Sequence, residues 1–521
     1  MYSGFSWGYS GSLSGLWINH SRFEIYDSSF VGNWAGLILL GADGILRNTT
    51  FVGGYYGIVL IGVENMRVEN ISLVDAWYGL RVEFSSNIEI VDVVSVNNIF
   101  GLYCYYSSNV SVSGFHANNS TYGAVIWRSK SMVVDASDIS DGYIGLIVHN
   151  SYDVSIDDTD IANSSFSGVV VHSSADVRFS SDRIGTNIYG VIVFSSANIS
   201  LSSSNINGNM AYGVLFCHSQ NIDVSFSIFS NNSEGIIFSE SLGANIYFSL
   251  FIGNERSIFV SESRSIGIYL CGFLSAGRTI YVANSTDVSI SYVLVWNTRK
   301  EYTVSGTSFI FSENITLNWV MLFNDPLLVY DTSLSRLMTL DFSNVYLDLS
   351  PVLLLKNENS ATISGFSQAI LINCSNIDIV GPSNIYGLYM FYSDNITVSD
   401  LRIEKNYYGV LLFESSGIVA EKLDVEYCYT AFFAQNVINV SISDTHISMS
   451  NNGIFAENIH NVYLNNISIS NASDVGIIAD CVDFLYIRDL NASNVSTVLS
   501  IADCDNVYVA NVAAYNSSTG I

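Results

Sequence analysis

Several features that other protein classes require are scarce or absent in this sequence. Its 521 residues include 3 prolines and 7 cysteines, and no run of about eighteen apolar residues indicates a membrane-spanning helix. The cysteines are too few for a disulfide scaffold, and their odd number leaves at least one without an intrachain partner. The N-terminus shows no basic segment followed by an apolar one, the pattern of a secretory signal. We therefore expect neither a disulfide-rich domain nor a transmembrane segment.

Basic residues are scarce as well. There are 19 Lys and Arg against 47 Asp and Glu, which gives a formal net charge of −28 at pH 7. This charge repels phosphate backbones and anionic lipids, so nucleic acids and anionic membranes are excluded as partners, whereas cations and neutral glycans remain compatible. Charged residues make up 13% of the chain and hydrophobic residues 49%, with 32 tyrosines. Such a composition is typical of a β-rich chain with little helix.

Glycine recurs at regular intervals, and an apolar pair follows it. Nine residues after each glycine, apolar residues alternate with polar ones, as at Ile88 and Ile90 or Val110 and Val112. Alternation of period two predicts a strand with one buried face. The spacing returns between Gly387 and Gly520. In the first run the glycines are 21 to 23 residues apart, at Gly36, Gly57, Gly79, Gly101, Gly123, Gly145, Gly168, Gly190, Gly213 and Gly235.

Three short strands fit into each repeat. A second apolar position follows seven residues after the pair begins, as at Ile139 and Ile161, and a third strand follows the glycine, as in residues 168–171. Asn or Asp stands just before the first strand, where a left-handed bend is needed. We therefore predict an all-β, single-stranded right-handed parallel β-helix, with about 23 coils of near 22 residues and three strands per coil.

The repeat predicts one continuous β-helix over residues 1–521. Regular coils are expected for 1–287 and 397–521, and irregular, proline-containing coils for 288–396, with a loop-out near 297–306. Neither end resembles a cap, so we expect a fragment whose ends are covered by flanking domains of the same chain or by other surface-protein subunits.

The repeats resemble those of a known family. Residues 196–201, followed by Asn205-Ile206 and residues 212–216, are similar to units of the pectate-lyase-like, NosD-type right-handed β-helix proteins, and similar units cover nearly the whole chain. The resemblance implies the fold. For function it implies several alternatives: polysaccharide lyases and hydrolases, a periplasmic accessory protein for copper-enzyme maturation, phage tailspikes, and surface or adhesion proteins.

A polar column is the strongest catalytic candidate. Residues one coil apart lie side by side, so His116, Asp138, Asp160 and Arg183, each fifteen places after its glycine, are predicted neighbours that point outward. Paired carboxylates can act as acid and nucleophile in glycoside cleavage, and an arginine beside bound calcium can abstract a proton. An acidic solvated surface is the alternative. Candidate calcium ligands lie close by, at Asp135, Asp157, Asp158 and Asp182.

Two histidines indicate a second metal site. His149 and His172 occupy equivalent positions on neighbouring coils, with Cys217 two coils further along the same column. They are candidate copper or zinc ligands, although two histidines without a clear third ligand are also typical of ordinary surface positions.

An aromatic residue often stands directly before the repeat glycine. Such a stack would form a sugar-binding platform if it faced solvent and a structural stack if it faced the core, and the sequence leaves both alternatives open. The residues are Tyr56, Tyr78, Phe100, Tyr122, Tyr189, Tyr212, Tyr386 and Tyr408.

The cysteines show one notable spacing. Cys481 and Cys504 are 23 residues apart, and hence on adjacent coils, where a disulfide is geometrically allowed. Cys104 occupies an inward position and is expected to be a buried thiol.

Glycosylation sequons are numerous. Nineteen Asn-x-Ser/Thr motifs occur, which suits an exported glycoprotein, although a chain rich in Asn and Ser produces many by chance. The candidate acceptors include Asn48, Asn70, Asn109, Asn163, Asn198, Asn231, Asn395, Asn439 and Asn466.

These patterns favour a non-catalytic structural or adhesive protein of the cell surface or exterior, archaeal in character and similar to an S-layer protein, adhesin or filament. The first alternative is a secreted polysaccharide lyase or glycoside hydrolase that uses the acidic column between residues 135 and 183. The second is a periplasmic metal-handling accessory protein. No cofactor is expected beyond a calcium ion, and glycans are the expected small partners.

Overall fold

The computed structural model describes residues 14–275, 277–297, 306–381 and 384–519. They form a parallel β-solenoid of about 22 turns, which confirms the fold class predicted from the repeat. The chain divides into two compact units, Met1–Gly272 and Phe273–Ile521. We call them unit 1 and unit 2, and three strand tracks, faces A, B and C, follow one another in each coil. The prediction of one continuous helix stays a prediction.

Unit 1 contains regular coils. Its face A strands, which begin at or just before the repeat glycine, are Ser14–Asn19, Ala35–Leu40, Tyr56–Ile61, Tyr78–Glu83, Phe100–Tyr105, Tyr122–Trp127, Ile144–His149, Ser167–His172, Tyr189–Phe194, Tyr212–Cys217, Glu234–Ser239 and Arg256–Ser261. Its face B strands are Arg22–Tyr26, Ser108–Ser113, Lys130–Asp135, Tyr152–Asp157, Ala175–Ser180, Ala197–Ser202, Gln220–Ser225, Leu242–Tyr247 and Arg264–Tyr269. Its face C strands are Ser29–Val31, His116–Asn118, Asp138–Ser140, Asp160–Ala162, Arg183–Gly185, Asn205–Asn207, Ile228–Ser230 and Leu250–Ile252. Three strands run through faces B and C, Asp43–Val52, Glu64–Val74 and Ser86–Val96, and the strand Gly272–Ser275 lies at the division between the units.

Unit 2 repeats the three faces with some irregularity. Its face A strands are Arg278–Ala283, Thr307–Ile310, Leu327–Tyr330, Ser350–Lys356, Gln368–Ile372, Gly387–Phe391, Tyr408–Phe413, Thr430–Gln435 and Thr497–Ala502. The face B strands are Asn359–Ile363, Ser375–Val380, Asp394–Ser399 and Ser416–Glu421, and the face C strands are Asn384–Ile385, Arg402–Glu404 and Asp424–Glu426. Faces B and C share Thr286–Asn297, Glu313–Phe323, Asp341–Leu347, Ile438–Ser448 and Asn506–Tyr515, and all three faces share Asn452–Ser470 and Val475–Ser493.

The strands pair in parallel with their equivalents one coil away. Leu102 lies between Leu80 and Ala124 in this register, and all three side chains are fully buried. The repeat glycine lets coils approach closely: a β-carbon on Gly145 would lie 2.6 Å from the carbonyl oxygen of Gly168. Each coil therefore buries its apolar residues against the coils above and below it.

Two kinds of side-chain ladder stabilise the turns. Buried serines form one: the backbone N–H of Ser107 donates to Oγ of Ser129, and that of Ser129 to Oγ of Ser151, both at 3.1 Å. Exposed asparagines in the left-handed region form the other, in which Asn109 Nδ2 donates to Asn87 Oδ1 at 2.7 Å. The Asn positions expected before the face B strands are therefore bends whose side chains also link the coils.

The interval 288–396 contains the departures from the repeat in unit 2. A short helix, Leu334–Leu337, lies here, and the strands Asp341–Leu347 and Ser350–Lys356 pair antiparallel through Tyr346 and Pro351. Residues 298–305 of the expected loop-out, and Pro382, lie outside the described residues. No described helix is long and apolar enough to cross a membrane.

Candidate functional site

The outer surface of face A in unit 1 carries an elongated cavity of about 430 Å³. We call it the aromatic groove. This volume falls within the range of about 300–1,000 Å³ that is typical of small-molecule sites. Its lining residues are Tyr78, Phe100, Tyr103, Tyr122, Val125, Trp127, Ile147 and His149.

Strand register explains the shape of the groove. The outward positions in the middle of successive face A strands form the floor, where Tyr103, Val125 and Ile147 are aligned. One wall is the aromatic column at the start of these strands, and the other is Trp127 with His149 at their ends. Apolar residues at outward positions of three neighbouring coils thus produce a continuous apolar trough.

The aromatic column is a structural stack that faces solvent only with its ring edges. The rings of Tyr78 and Phe100 lie 4.7 Å apart at 9°, and those of Phe100 and Tyr122 lie 5.0 Å apart at 17°. Their faces therefore cover one another, and the side chains are half-buried. A sugar ring needs a free aromatic face. The column is therefore outside the core, but it is not by itself a sugar platform.

Trp127 is oriented differently. Its ring stands at 86° to His149, whose own ring stacks on His172 at 21°. The faces of Trp127 consequently point sideways from the coil stack, and 37% of the residue is exposed. Trp127 is the groove residue best placed to offer a flat surface to a ligand.

An ion pair closes one end of the groove. Arg81 stands beside Tyr103 in the floor register, and its Nη2 donates to Glu83 Oε1 at 2.6 Å. Its Nη1 donates to the Tyr56 hydroxyl at 2.7 Å, and its guanidinium lies 5.2 Å from the centre of the Tyr78 ring. Burial raises the pKa of the Tyr78 phenol. The groove itself contains no carboxylate among its lining residues.

The predicted polar column forms on face C. His116, Asp138, Asp160 and Arg183 are successive register partners, and Arg183 Nη1 lies 3.6 Å from Asp160 Oδ2. Burial, with a further contribution from Asp138, raises the pKa of Asp160 despite Arg183. The structure brings these residues together, on a different face from the aromatic groove.

The calcium candidates are divided between surface and interior. Asp135 and Asp157 are register partners at the surface, and Asp158 is exposed. Asp182 is 1% exposed and occupies an interior ladder, where its Oδ1 accepts the Thr159 N–H at 2.9 Å. Its Oδ2 has no hydrogen-bond partner, and burial raises its pKa to about 8. The assignment of calcium to these four residues stays a prediction.

The histidine pair is in direct contact. Nδ1 of His149 lies 3.0 Å from Nδ1 of His172, and burial lowers the pKa of His149. Phe194 lies between His172 and Cys217 in this register.

Among the described residues, one group of three His, Cys, Asp or Glu side chains has all its ligand atoms within 4.8 Å of one another. That group is Asp480, Cys481 and Asp503, and two of its three members are exposed. It includes neither the histidine pair nor the calcium candidates.

No disulfide links the cysteines in the structure. All seven are free thiols, including Cys481 and Cys504. Cys104 is fully buried, as predicted, and burial raises its pKa to about 12.

Many sequon asparagines use their amide nitrogen inside the structure. Nδ2 donates to the neighbouring coil in Asn48, Asn70, Asn109, Asn198, Asn395 and Asn466. Asn163 and Asn439 instead accept a side-chain hydrogen bond, from Thr186 and Asn461. At Asn70, Asn109 and Asn198 the motif follows from the coil itself, because a bend Asn, an inward apolar residue and an outward Ser occupy consecutive positions.

Family comparison agrees with this architecture. The model described as right handed beta helix region matches residues 14–133 and 355–521, more than half of the chain. The chain belongs to the right-handed β-helix family. A second model, described as periplasmic copper-binding protein (NosD), matches residues 109–315 of this β-helix protein. No curated protein matches the sequence.

Solved structures with similar folds include polysaccharide-modifying enzymes. The periplasmic alginate epimerase AlgG is 12% identical, with 60% of this β-helix protein and 76% of that chain covered and a TM-score of 0.37. The A-module of mannuronan C-5 epimerase AlgE6 from Azotobacter vinelandii is 12% identical over 60% and 90% of the two chains, with a TM-score of 0.34. Tailspike protein 3 of bacteriophage CBA120 is 10% identical over 65% and 52%, with a TM-score of 0.40. The β-helix protein thus aligns with about half of the tailspike, and these similarities carry no inference about activity.

The sequence reasoning missed the groove. The aromatic column with Tyr78, Phe100 and Tyr122 was predicted, but the floor of the groove and Trp127 were not. A signal was present in the face A strands, where outward positions hold Tyr103, Val125 and Ile147 although outward positions of a solvated strand are usually polar.

Proposed function

We propose that this β-helix protein is a non-catalytic, adhesive protein of the cell surface or exterior that binds glycan in the aromatic groove. The observation that carries the proposal is Trp127, an exposed indole turned sideways at the rim of an apolar trough of about 430 Å³. The C–H face of a sugar packs on such a ring, and the neighbouring phenol hydroxyls hydrogen-bond sugar hydroxyls. Because no carboxylate lines the groove, it holds a ligand without an acid–base pair to cleave it.

The test is binding of immobilised polysaccharides by the purified protein and by Trp127→Ala. Loss of the indole should weaken binding by about tenfold or more, as expected for a central aromatic anchor. Trp319→Ala is the matched control, because Trp319 is 52% exposed in unit 2, outside the groove. Equal binding by the wild type and Trp127→Ala, or release of cleaved oligosaccharide, would contradict the proposal.

A polysaccharide lyase or hydrolase is the second candidate, and one observation favours it. Asp160 has a raised pKa beside Asp138 and Arg183, as a general acid requires. If face C is catalytic, Asp160→Ala should abolish turnover of acidic polysaccharides while Asp223→Ala, at an exposed position of face B, leaves it unchanged. Turnover unaffected by Asp160→Ala would eliminate this site.

Metal handling rests on the histidine pair. The Nδ1 atoms of His149 and His172 lie 3.0 Å apart, a separation that two nitrogens on one copper ion can adopt, and the NosD match includes both residues. Elemental analysis after incubation with copper or zinc tests the idea, and metal content unchanged by His149→Phe would remove it.

A further inference from the structure

Arg81 is the cation beside the end of the aromatic groove, next to Tyr103 in the register, and all three of its side-chain nitrogens already donate hydrogen bonds. Nε and Nη2 donate to Glu83 Oε1 at 3.0 and 2.6 Å, and Nη1 donates to the Tyr56 hydroxyl. The guanidinium also packs against the rings of Tyr56 and Tyr78, at 5.3 and 5.2 Å from their centres. Three of the five N–H groups of Arg81 are therefore already used within the protein, and its charge is compensated by Glu83.

Glu83 neutralises this cation at close range. Its side chain is 11% exposed and that of Arg81 is 26% exposed, so solvent screens the pair less than a surface ion pair. Burial disfavours the charged form of Arg81, but the hydrogen bonds and negative charge of Glu83, with the tyrosines Tyr56 and Tyr78, raise its pKa. The pair therefore presents a nearly neutral end to the groove.

The other cation near the groove points elsewhere. Arg128 follows Trp127 in the turn, where its Nη1 donates to the Tyr106 hydroxyl at 2.7 Å and its guanidinium lies 5.4 Å from the centre of that ring. The chain as a whole carries a charge of −28. A polyanionic glycan would therefore lose water from its carboxylates without gaining a paired cation.

We propose that the aromatic groove selects uncharged glycan chains, and that Glu83 sets this selectivity by occupying Arg81. The inference rests on glycan binding as the proposed function and specifies the class of ligand. Apolar floor residues pack against the C–H faces of neutral sugars, whereas a uronate carboxylate would meet a guanidinium whose charge Glu83 already neutralises. Glu83 is a positioning residue, because it acts on the ligand through Arg81.

The experiment compares two probes, a neutral hexaose of β-linked glucose and a hexamer of uronic acid, by calorimetry at low salt. The wild type should bind the neutral hexamer at least about tenfold more tightly. Glu83→Gln removes the negative charge that neutralises Arg81 but keeps an acceptor for its hydrogen bonds, so affinity for the uronate hexamer should rise by about tenfold, the effect of one charge-assisted hydrogen bond. Affinity for the neutral hexamer should change by less than about twofold.

Two controls isolate the mechanism. The double variant with Arg81→Met and Glu83→Gln should lose the gained uronate binding, because no guanidinium remains. Glu89→Gln breaks a comparable ion pair, that with Arg67 on face B, away from the groove. This variant should leave the affinities for both probes unchanged. If the amide at residue 83 does not fit the fold, Glu83→Ser repeats the test, with circular dichroism as the check of folding.

The outcomes separate the inference from the function on which it rests. Tight binding of the neutral hexamer with an unchanged uronate affinity in Glu83→Gln would overturn the inference and leave glycan binding intact. Equal wild-type affinity for both probes would overturn it too. If neither probe binds the wild type or Glu83→Gln, both the selectivity and the proposed function fail.

Discussion

Asp325 shows how a single residue can make the stability of unit 2 depend on pH. The carboxylate is fully buried and accepts hydrogen bonds from Thr279 and Asn297 at 3.0 and 2.9 Å, and from Thr307 at 2.6 Å. These bonds favour the ionised form, but burial outweighs them and raises its pKa from 3.8 to about 6. Because the native state binds the proton more tightly than the unfolded state, stability is highest below about pH 4 with respect to this group and falls as the pH rises through about 6.

We expect Asp325→Asn to remove this pH dependence. Between about pH 4 and 7 the free energy of unfolding of the wild type should fall by about 3 kcal/mol relative to that of the variant. This corresponds to the shift of about two pKa units. Denaturant unfolding at several pH values measures the difference. Parallel stability curves for the two proteins would show that Asp325 keeps its ordinary pKa.

Asp182 interrupts an interior ladder that other coils build from hydroxyl residues. Its N–H donates to Ser204 Oγ at 3.2 Å, while its own Oδ2 has no partner. Asp182→Ser should therefore raise stability by about 1–3 kcal/mol at pH 7, and by more at pH 9, where the wild-type carboxyl with its pKa of about 8 is ionised. Thermal unfolding measures the gain, and Asp223→Ser, at an exposed position of face B, is the control. Destabilisation of Asp182→Ser in calcium but not in chelator would instead support a calcium ligand.

At the scale of the element, the exposed amide ladder links consecutive coils through their turns. Asn109 has a φ of 52° and donates to Asn87, which in turn donates to Asn65 at 3.0 Å. Asn109→Ala should lower the free energy of unfolding by about 1–2 kcal/mol, because it removes the hydrogen bond and forces alanine into the left-handed region. Asn109→Gly keeps the backbone relaxed and should recover part of the loss. No difference between alanine and asparagine in denaturant unfolding would show that the ladder contributes nothing.

The ladder also explains what the sequence could and could not predict. Period-two alternation predicted the inward residues of each strand, because burial demands apolar side chains there whatever the neighbouring coil contains. Whether an aromatic residue beside Gly101 or Gly123 faces solvent depends on the backbone angles at that position, which sequence does not encode locally. The groove needed the register of three coils at once. Asp182 was grouped with three neighbouring aspartates as a calcium candidate, and its interior position was not predicted because an acidic residue is rarely buried.

For the whole molecule, the charge of −28 is the dominant property. At neutral pH this negative charge makes copies of the protein repel one another, and the net charge approaches zero near the isoelectric point of about 4.3. We therefore expect light scattering to show reversible association as the pH is lowered from 7 to about 4.5 at low salt. A mass that stays constant over this range would mean that the surface does not self-associate even when its net charge is small.

The glycine register has a consequence for how such a gene can change in length. Ser196 is followed by Ala197 in one coil, and Gln220 holds the position equivalent to Ala197 in the next. Deletion of residues 197–219 would therefore join Ser196 to a residue that fits the same place, and every remaining strand would find a partner in register. Loss of one residue fewer would leave one extra residue, which has to be taken up in a bend, as it is between coils whose glycines are 21 to 23 residues apart. We therefore expect related sequences to differ in length by whole coils, with single-residue differences confined to the bends between strands.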